Sequence, residues 1–288
     1  QPGMGIVGNR SENILLRRLR IVPVDGDHYS TNTDGTHFTS IKGFLRYENC
    51  VTESMGDDFA NVHAYYHKAV KRDGKRLLYL QEKTPDGTHA QTLDYPDVGD
   101  VLEMSAFETM ETKDTFKVVS CTPMADEWMC RVELDKDVPK DIENMIFADI
   151  TRLPRLEVFG CTSSNHFARG VLCKCRDALI ENNTFRNIMG PAVVLAAESY
   201  WYEGVCPANV TVRNNFIENC AFYWGEASGV VVKADAAKPD GININNICLE
   251  DNLIVSPDSQ HGIFMRNSSD SKIVNNTVIC KEETVEIC

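Results

Sequence analysis

The chain has 288 residues, 43% hydrophobic and 25% charged, enough for one large or two smaller globular domains with a sizeable core. Its 29 Lys and Arg stand against 42 Asp and Glu, a formal net charge of −13. That balance argues against the cationic face nucleic-acid binding requires and suits a neutral polar partner such as a sugar. No apolar run approaches a membrane span of roughly 18 residues, and no basic leader precedes a hydrophobic stretch. The first residue is Gln1, as expected of a mature form or part of a longer protein.

Residues 1–65 open with "NILLRRLRIVP" (13–23) and "FLRYENCVTES" (44–54), which alternate β-formers and polar residues around a turn. Between Thr33 and His63 the chain carries Asp34 and His37, then the pair Asp57-Asp58, then Asn61 and His63. From 66 to 156 the rhythm changes. "RLLYLQEKT", "DVLEMSAFETM", "TFKVVSCTPM" and "WMCRVELDKDVP" alternate like antiparallel strands, with turn signals at "PDG" (85–87) and "VGD" (98–100). This predicts an inserted small β-barrel or β-sandwich.

From 157 to 288 the earlier plan returns. "ALIENNTFRNI", "VTVRNNFIENC", "ICLEDNLIVSP" and "KIVNNTVICKE" align on Asn183, Asn215, Asn252 and Asn276, with spacings of 32, 37 and 24. A unit repeated this way cannot bury its apolar face alone and must stack on its neighbours. Short strands with asparagine turns predict an all-β chain folded as a right-handed parallel β-helix carrying the inserted β-barrel. Asparagine suits the turns because it tolerates left-handed backbone angles and can hydrogen-bond the next coil. The sequons at Asn182 and Asn275 lie in these turns, so ladder residues explain them better than glycosylation.

Asp34 and Asp57 are 23 residues apart, close to one coil, so they are expected about one strand spacing apart, ~4.8 Å plus side-chain reach. Crowded carboxyls suit glycoside hydrolysis, which needs one protonated group to deliver a proton and one ionised group on the other face. Crowding keeps at least one carboxyl protonated near neutral pH. Taken alone, "GDD" at 56–58 is more often a polar turn. Strand alternation sends Asp57 and Asp58 to opposite faces unless a bend at Gly56 turns both outward.

Taken together, "DGTHF…GDDFANVH", "RGVLCKCRDALIENNTF" (169–185) and "WYEGVCPANVTVRNNFIENC" (201–220), with an insertion between the blocks, resemble glycoside hydrolase family 110 over roughly residues 5 to 280. The resemblance implies a metal-independent, inverting exo-hydrolase that removes terminal α-1,3-linked galactose, with Asp34, Asp57 and Asp58 as its catalytic trio and no cofactor. Gly35, Phe59 and "NVHAYY" depart from the family pattern and bear on fine substrate choice.

The remaining site candidates each have a structural alternative. His37 and His63 bind sugar hydroxyls, orient an aspartate, or are buried core histidines. Trp201 and Tyr202, beside Glu203, stack on a sugar ring or pack under the insertion. Arg169 pairs with a catalytic carboxylate or caps a strand, Asn61 binds a hydroxyl or joins the asparagine ladder, and Glu198 is a further acid on the same coil. The eleven cysteines have no metal-site spacing and read as buried thiols, with disulfides open for an exported chain. The expected partner is a glycan with terminal α-galactose, which implies a secreted or periplasmic protein; a homo-oligomer stays open. Two other classes also stay open: a β-helix polysaccharide lyase, and a non-catalytic carbohydrate-binding or adhesion module.

Overall fold

The computed structural model describes residues 3–82, 94–223, 228–239, 241–259, 261–280 and 284–287. The turn expected at 85–87 lies outside them. The described residues are nearly all-β, with two short 3-10 turns among them, at Ala125–Glu127 and Ile150–Arg152. Apart from the middle segment, it visits three parallel sheets in rotation, the pattern of a β-helix. Thus Thr36–Thr39 in the first sheet is followed by Lys42–Glu48 in the second and Val51–Glu53 in the third. The third sheet alone stacks seven strands, from Arg20–Ile21 to Thr277–Cys280.

Alternation decides what each sheet buries. In the second sheet Leu45, Leu156, Ala178, Val210 and Ile247 are in register, as are Tyr47, Val158, Ile180, Val212 and Leu249. All ten are buried in one continuous core. No coil could bury such a row by itself; the neighbours above and below complete it.

The asparagines divide their two tasks between adjacent residues. Asn182, Asn214, Asp251 and Asn275 take the left-handed turn, with φ of 56°, 54°, 54° and 54°. The next residue in each pair builds the ladder. Asn183 Nδ2 donates to Asn215 Oδ1 at 3.0 Å, Asn215 to Asn252 at 2.9 Å and Asn252 to Asn276 at 2.9 Å. The sequon residues Asn182 and Asn275 are therefore exposed turn residues beside the ladder rather than members of it.

The long strand Ala60–Asp73 belongs to two layers. Its first residues pair in parallel with Thr36–Thr39 and Val171–Cys173. Its later residues pair antiparallel with Leu77–Gln81 and Met145–Asp149. Those two strands, with Val101–Ala106, Thr112–Met124 and Met129–Leu134, close a ring of antiparallel pairings around a separate apolar cluster that includes Leu78, Leu80, Phe116 and Phe147. The chain re-enters the second sheet at Arg155–Phe159.

Candidate active site

The site lies on the outer face of the first sheet and at the corner where the chain enters it from the third. Register places the key residues in columns. Thr36 lies beside Ala60, and Ala60 beside Val171. Two residues earlier on the same three coils stand Asp34, Asp58 and Arg169. One residue later stand His37, Asn61 and Leu172, which alternation turns outward. The offset between coils is 24 residues, so Asp34 stacks on Asp58, and Asp57 reaches the same pocket through the bend at 56–57. That bend needs Gly56: a Cβ there would sit 2.1 Å from the Asn32 carbonyl oxygen.

The pocket, about 200 Å³, is lined by Asp34, His37, Asp57, Asp58, Asn61, Arg169, Glu198, Trp201 and Glu203, with Met4 and Thr33. One oxygen of each member of the aspartate trio lies within 4.8 Å of the others. Asp57 is the open member, its side chain 44% exposed. Burial, then the neighbouring Asp34 charge, pushes its carboxyl up to about 6. Asp58 is buried, and burial pushes its carboxyl up while Arg169 opposes the shift. Its Oδ1 accepts from the Arg169 backbone N–H at 3.0 Å and from Nε at 2.8 Å.

Behind Asp34 runs a chain of ring nitrogens whose proton count can be worked out. His63 Nδ1 lies 3.0 Å from the Ala64 carbonyl oxygen, which can only accept, so Nδ1 carries a proton. Burial holds the His63 pKa down to about 4, so the ring is neutral near pH 7 and its Nε2 accepts. His37 Nε2, 2.9 Å away, must therefore donate. One further proton then occupies the 2.6 Å contact between His37 Nδ1 and Asp34 Oδ2, on the nitrogen or on the carboxyl.

A second chain of alternating charge closes the other side. Arg169 Nη1 donates to Glu198 Oε1 at 3.0 Å. Lys174 Nζ lies 2.8 Å from Glu198 Oε2 and 2.6 Å from Glu203 Oε2. Burial works against both glutamate charges. Lys174 and Arg169 oppose it at Glu198, and Lys174 opposes it at Glu203; both carboxyls are held below the usual range. Among the described residues, two groups bring potential metal ligands within 4.8 Å: His37, His63 and Glu203, and the aspartate trio. In the first, the histidine nitrogens are already joined by a hydrogen bond and Glu203 carries the Lys174 ammonium.

Two expectations need correction. His63 is fully buried and touches His37 rather than the pocket space. Tyr202 is buried against Phe107, ring centroids 5.3 Å apart, beside the inserted ring of strands. Its neighbour Trp201 lines the pocket instead; the two lie in the turn at 199–202, where Tyr202 takes a left-handed backbone with φ 58°. Asn61 joins the pocket rather than the asparagine ladder. Lys174 escaped notice in the sequence, although a lysine between two buried cysteines in an apolar run is the available signal. The ten cysteines among the described residues are all free thiols.

The chain resembles curated proteins along nearly its full length. It is 26% identical to alpha-1,3-galactosidase A of Bacteroides fragilis, covering 98% of this chain and 47% of that protein. It is 26% identical to alpha-1,3-galactosidase B of Phocaeicola vulgatus, covering 96% and 50%, and 25% identical to alpha-1,3-galactosidase A of Akkermansia muciniphila, covering 96% and 45%. It thus spans about half the length of these relatives. The family described as "Disaggregatase related" matches residues 155–283. The resemblance to glycoside hydrolase family 110 read from the motifs is borne out: over nearly its whole length this chain is a relative of the α-1,3-galactosidases A and B.

Proposed function

We propose that this chain carries the active site of an inverting exo-glycoside hydrolase that releases terminal α-1,3-linked galactose from glycans. The observation carrying this reading is the convergence of Asp34, Asp57 and Asp58 in one pocket, with one carboxyl shifted to about 6. A pocket of about 200 Å³ is small against the ~300–1,000 Å³ of typical ligand sites and suits a single terminal sugar. We assign residues 1–65 and 157–288 to a right-handed parallel β-helix and 66–156 to a β-barrel-like insertion beside the pocket.

The roles follow from the protons. Asp34 shares a proton with His37 and is the general acid for the leaving oxygen. Asp57, ionised above about pH 6 and open to solvent, is the base that activates water. Asp58, fixed by Arg169, holds that water with it. Acid and base each contribute typically ~10²–10⁴-fold. Glu198 and Glu203 accept from sugar hydroxyls, Asn61 accepts from or donates to them, and Trp201 offers an aromatic face to the ring.

The nearest carboxyl oxygens lie within 4.8 Å, whereas carboxyl groups of inverting enzymes stand ~6.5–9.5 Å apart. Inversion therefore rests on the family resemblance and is the point to test. Proton NMR during hydrolysis of an α-galactoside should show β-galactose first; α-galactose first overturns the assignment of Asp57 as base. Nitrophenyl α-galactoside and a branched B-type trisaccharide should both yield galactose with or without chelator.

A polysaccharide lyase needs a cation to neutralise a uronate. Among the described residues lining or backing the pocket, Arg169 and Lys174 are already paired with carboxylates, which counts against that alternative. A binding module would bind galactose without releasing it. No helix among the described residues is long and apolar enough to cross a membrane; from the proposed glycan substrate we infer a secreted or periplasmic protein.

A further inference from the structure

Lys174 follows the strand Val171–Cys173 and is fully buried. Its three N–H groups have three acceptors: Glu198 Oε2 at 2.8 Å, Glu203 Oε2 at 2.6 Å and Asn61 Oδ1 at 3.2 Å. All three acceptors line the pocket, and Lys174 does not. They also come from three separate strands, Ala60–Asp73, Val193–Glu198 and Glu203–Gly204. One ammonium therefore ties together three parts of the wall.

Two of the acceptors are held by a second atom as well. Glu198 Oε1 takes a bond from Arg169 Nη1. Asn61 Nδ2 donates to Glu203 Oε2 at 3.2 Å, which fixes its amide with Oδ1 toward the ammonium. Two carboxylates this close to a shared cation, Glu198 buried and Glu203 partly so, would repel each other without it. One would take up a proton or turn away.

We propose that Lys174 is a positioning residue for sugar recognition: without touching the sugar, it keeps Glu198 and Glu203 ionised and holds both, with Asn61, as a preset wall of acceptors for the hydroxyls of a neutral galactose ring. The inference rests on the pocket being a galactoside site. A preset wall spares the ordering of three side chains on binding. An acceptor-only carboxylate pair also discriminates: it welcomes hydroxyl donors and repels a sugar whose own C6 is a carboxylate.

The test is a double-mutant cycle on the whole chain with Lys174→Met, Glu203→Gln and the pair. The readouts are the dissociation constant for galactose by titration calorimetry, kcat and KM on nitrophenyl α-galactoside, and near-UV circular dichroism to verify folding. Lys174→Met should bind galactose at least tenfold more weakly and raise KM more than it lowers kcat. Its affinity should also worsen as pH falls through the neutral range, as an uncompensated glutamate takes up a proton. The charge-balanced pair should lose no more than the worse single variant, since both changes act through one contact; it also gives the answer if Lys174→Met alone does not fold. A folded Lys174→Met protein with galactose affinity within twofold of wild type, or strictly additive losses, overturns the inference and leaves the pocket reading intact. Wild-type protein that neither binds nor releases galactose overturns both.

Discussion

Replacing Asp57 by Asn should separate function from stability. The change is nearly isosteric and sits on an exposed bend, its side chain 44% exposed, so packing is untouched. It removes one of three carboxylates whose oxygens lie within 4.8 Å. At that distance two unit charges repel by ~0.9 kcal/mol with water-like screening and ~3.5 kcal/mol at an effective dielectric of about 20. The half-open position of Asp57 favours the lower figure. The variant should therefore unfold at the same temperature as wild type or a few degrees higher, since ~1 kcal/mol moves Tm by about 2–4 °C in chains of this class. Activity should move the other way. Losing the base should lower kcat by ~10²–10⁴-fold, with azide restoring part of it and giving β-galactosyl azide, the product of attack from the face where Asp57 acts. Calorimetric unfolding and discontinuous kinetics at pH 7 measure the two effects. A variant keeping a tenth or more of wild-type kcat would remove Asp57 from the chemistry, and an α-galactosyl azide product would make it the acid–base group of a retaining enzyme, with azide displacing a second carboxylate from a β-linked glycosyl-enzyme.

The kcat/KM of the wild type should rise with pH through about 6 as Asp57 loses its proton, because its shift is upward and the ionised form is the active one; a plateau down to pH 4 would contradict this. Asn215→Ala removes four side-chain hydrogen bonds, two accepted from Asn183 and two donated to Ile180 and Asn252. At ~1 kcal/mol each, chemical denaturation should register a loss of ~3–5 kcal/mol with the pocket chemistry spared. Trp201→Ala should raise KM about fivefold to tenfold with little change in Tm. Tyr202→Ala, at a buried position against Phe107, should instead cost ~3–5 kcal/mol of stability, and steady-state kinetics beside a thermal scan would expose a reversal of these two roles.

Much of the fold was legible because its determinants are local. Alternation and paired asparagines recur within a dozen residues, and stacking follows once each coil has an apolar face it cannot bury alone. The near-equality between the Asp34–Asp57 spacing and one coil also carried the convergence of the carboxylates. The offset of 24 between Thr36 and Ala60, which stacks Asp34 on Asp58 rather than on Asp57, depends on how the bend at Gly56 fits under Asn32. Which way Trp201 and Tyr202 point depends on the return strand Glu203–Gly204 wedging between Val193–Glu198 and Ala60–Asp73. The same holds for Lys174 and His63, whose partners lie on other coils or across that wedge. By itself the sequence determined the repeat, the all-β character and the acidic trio, since these depend on neighbours along the chain. The tertiary structure alone decided which polar side chains are buried together and where their protons reside, because those outcomes depend on charges brought within hydrogen-bond reach by folding.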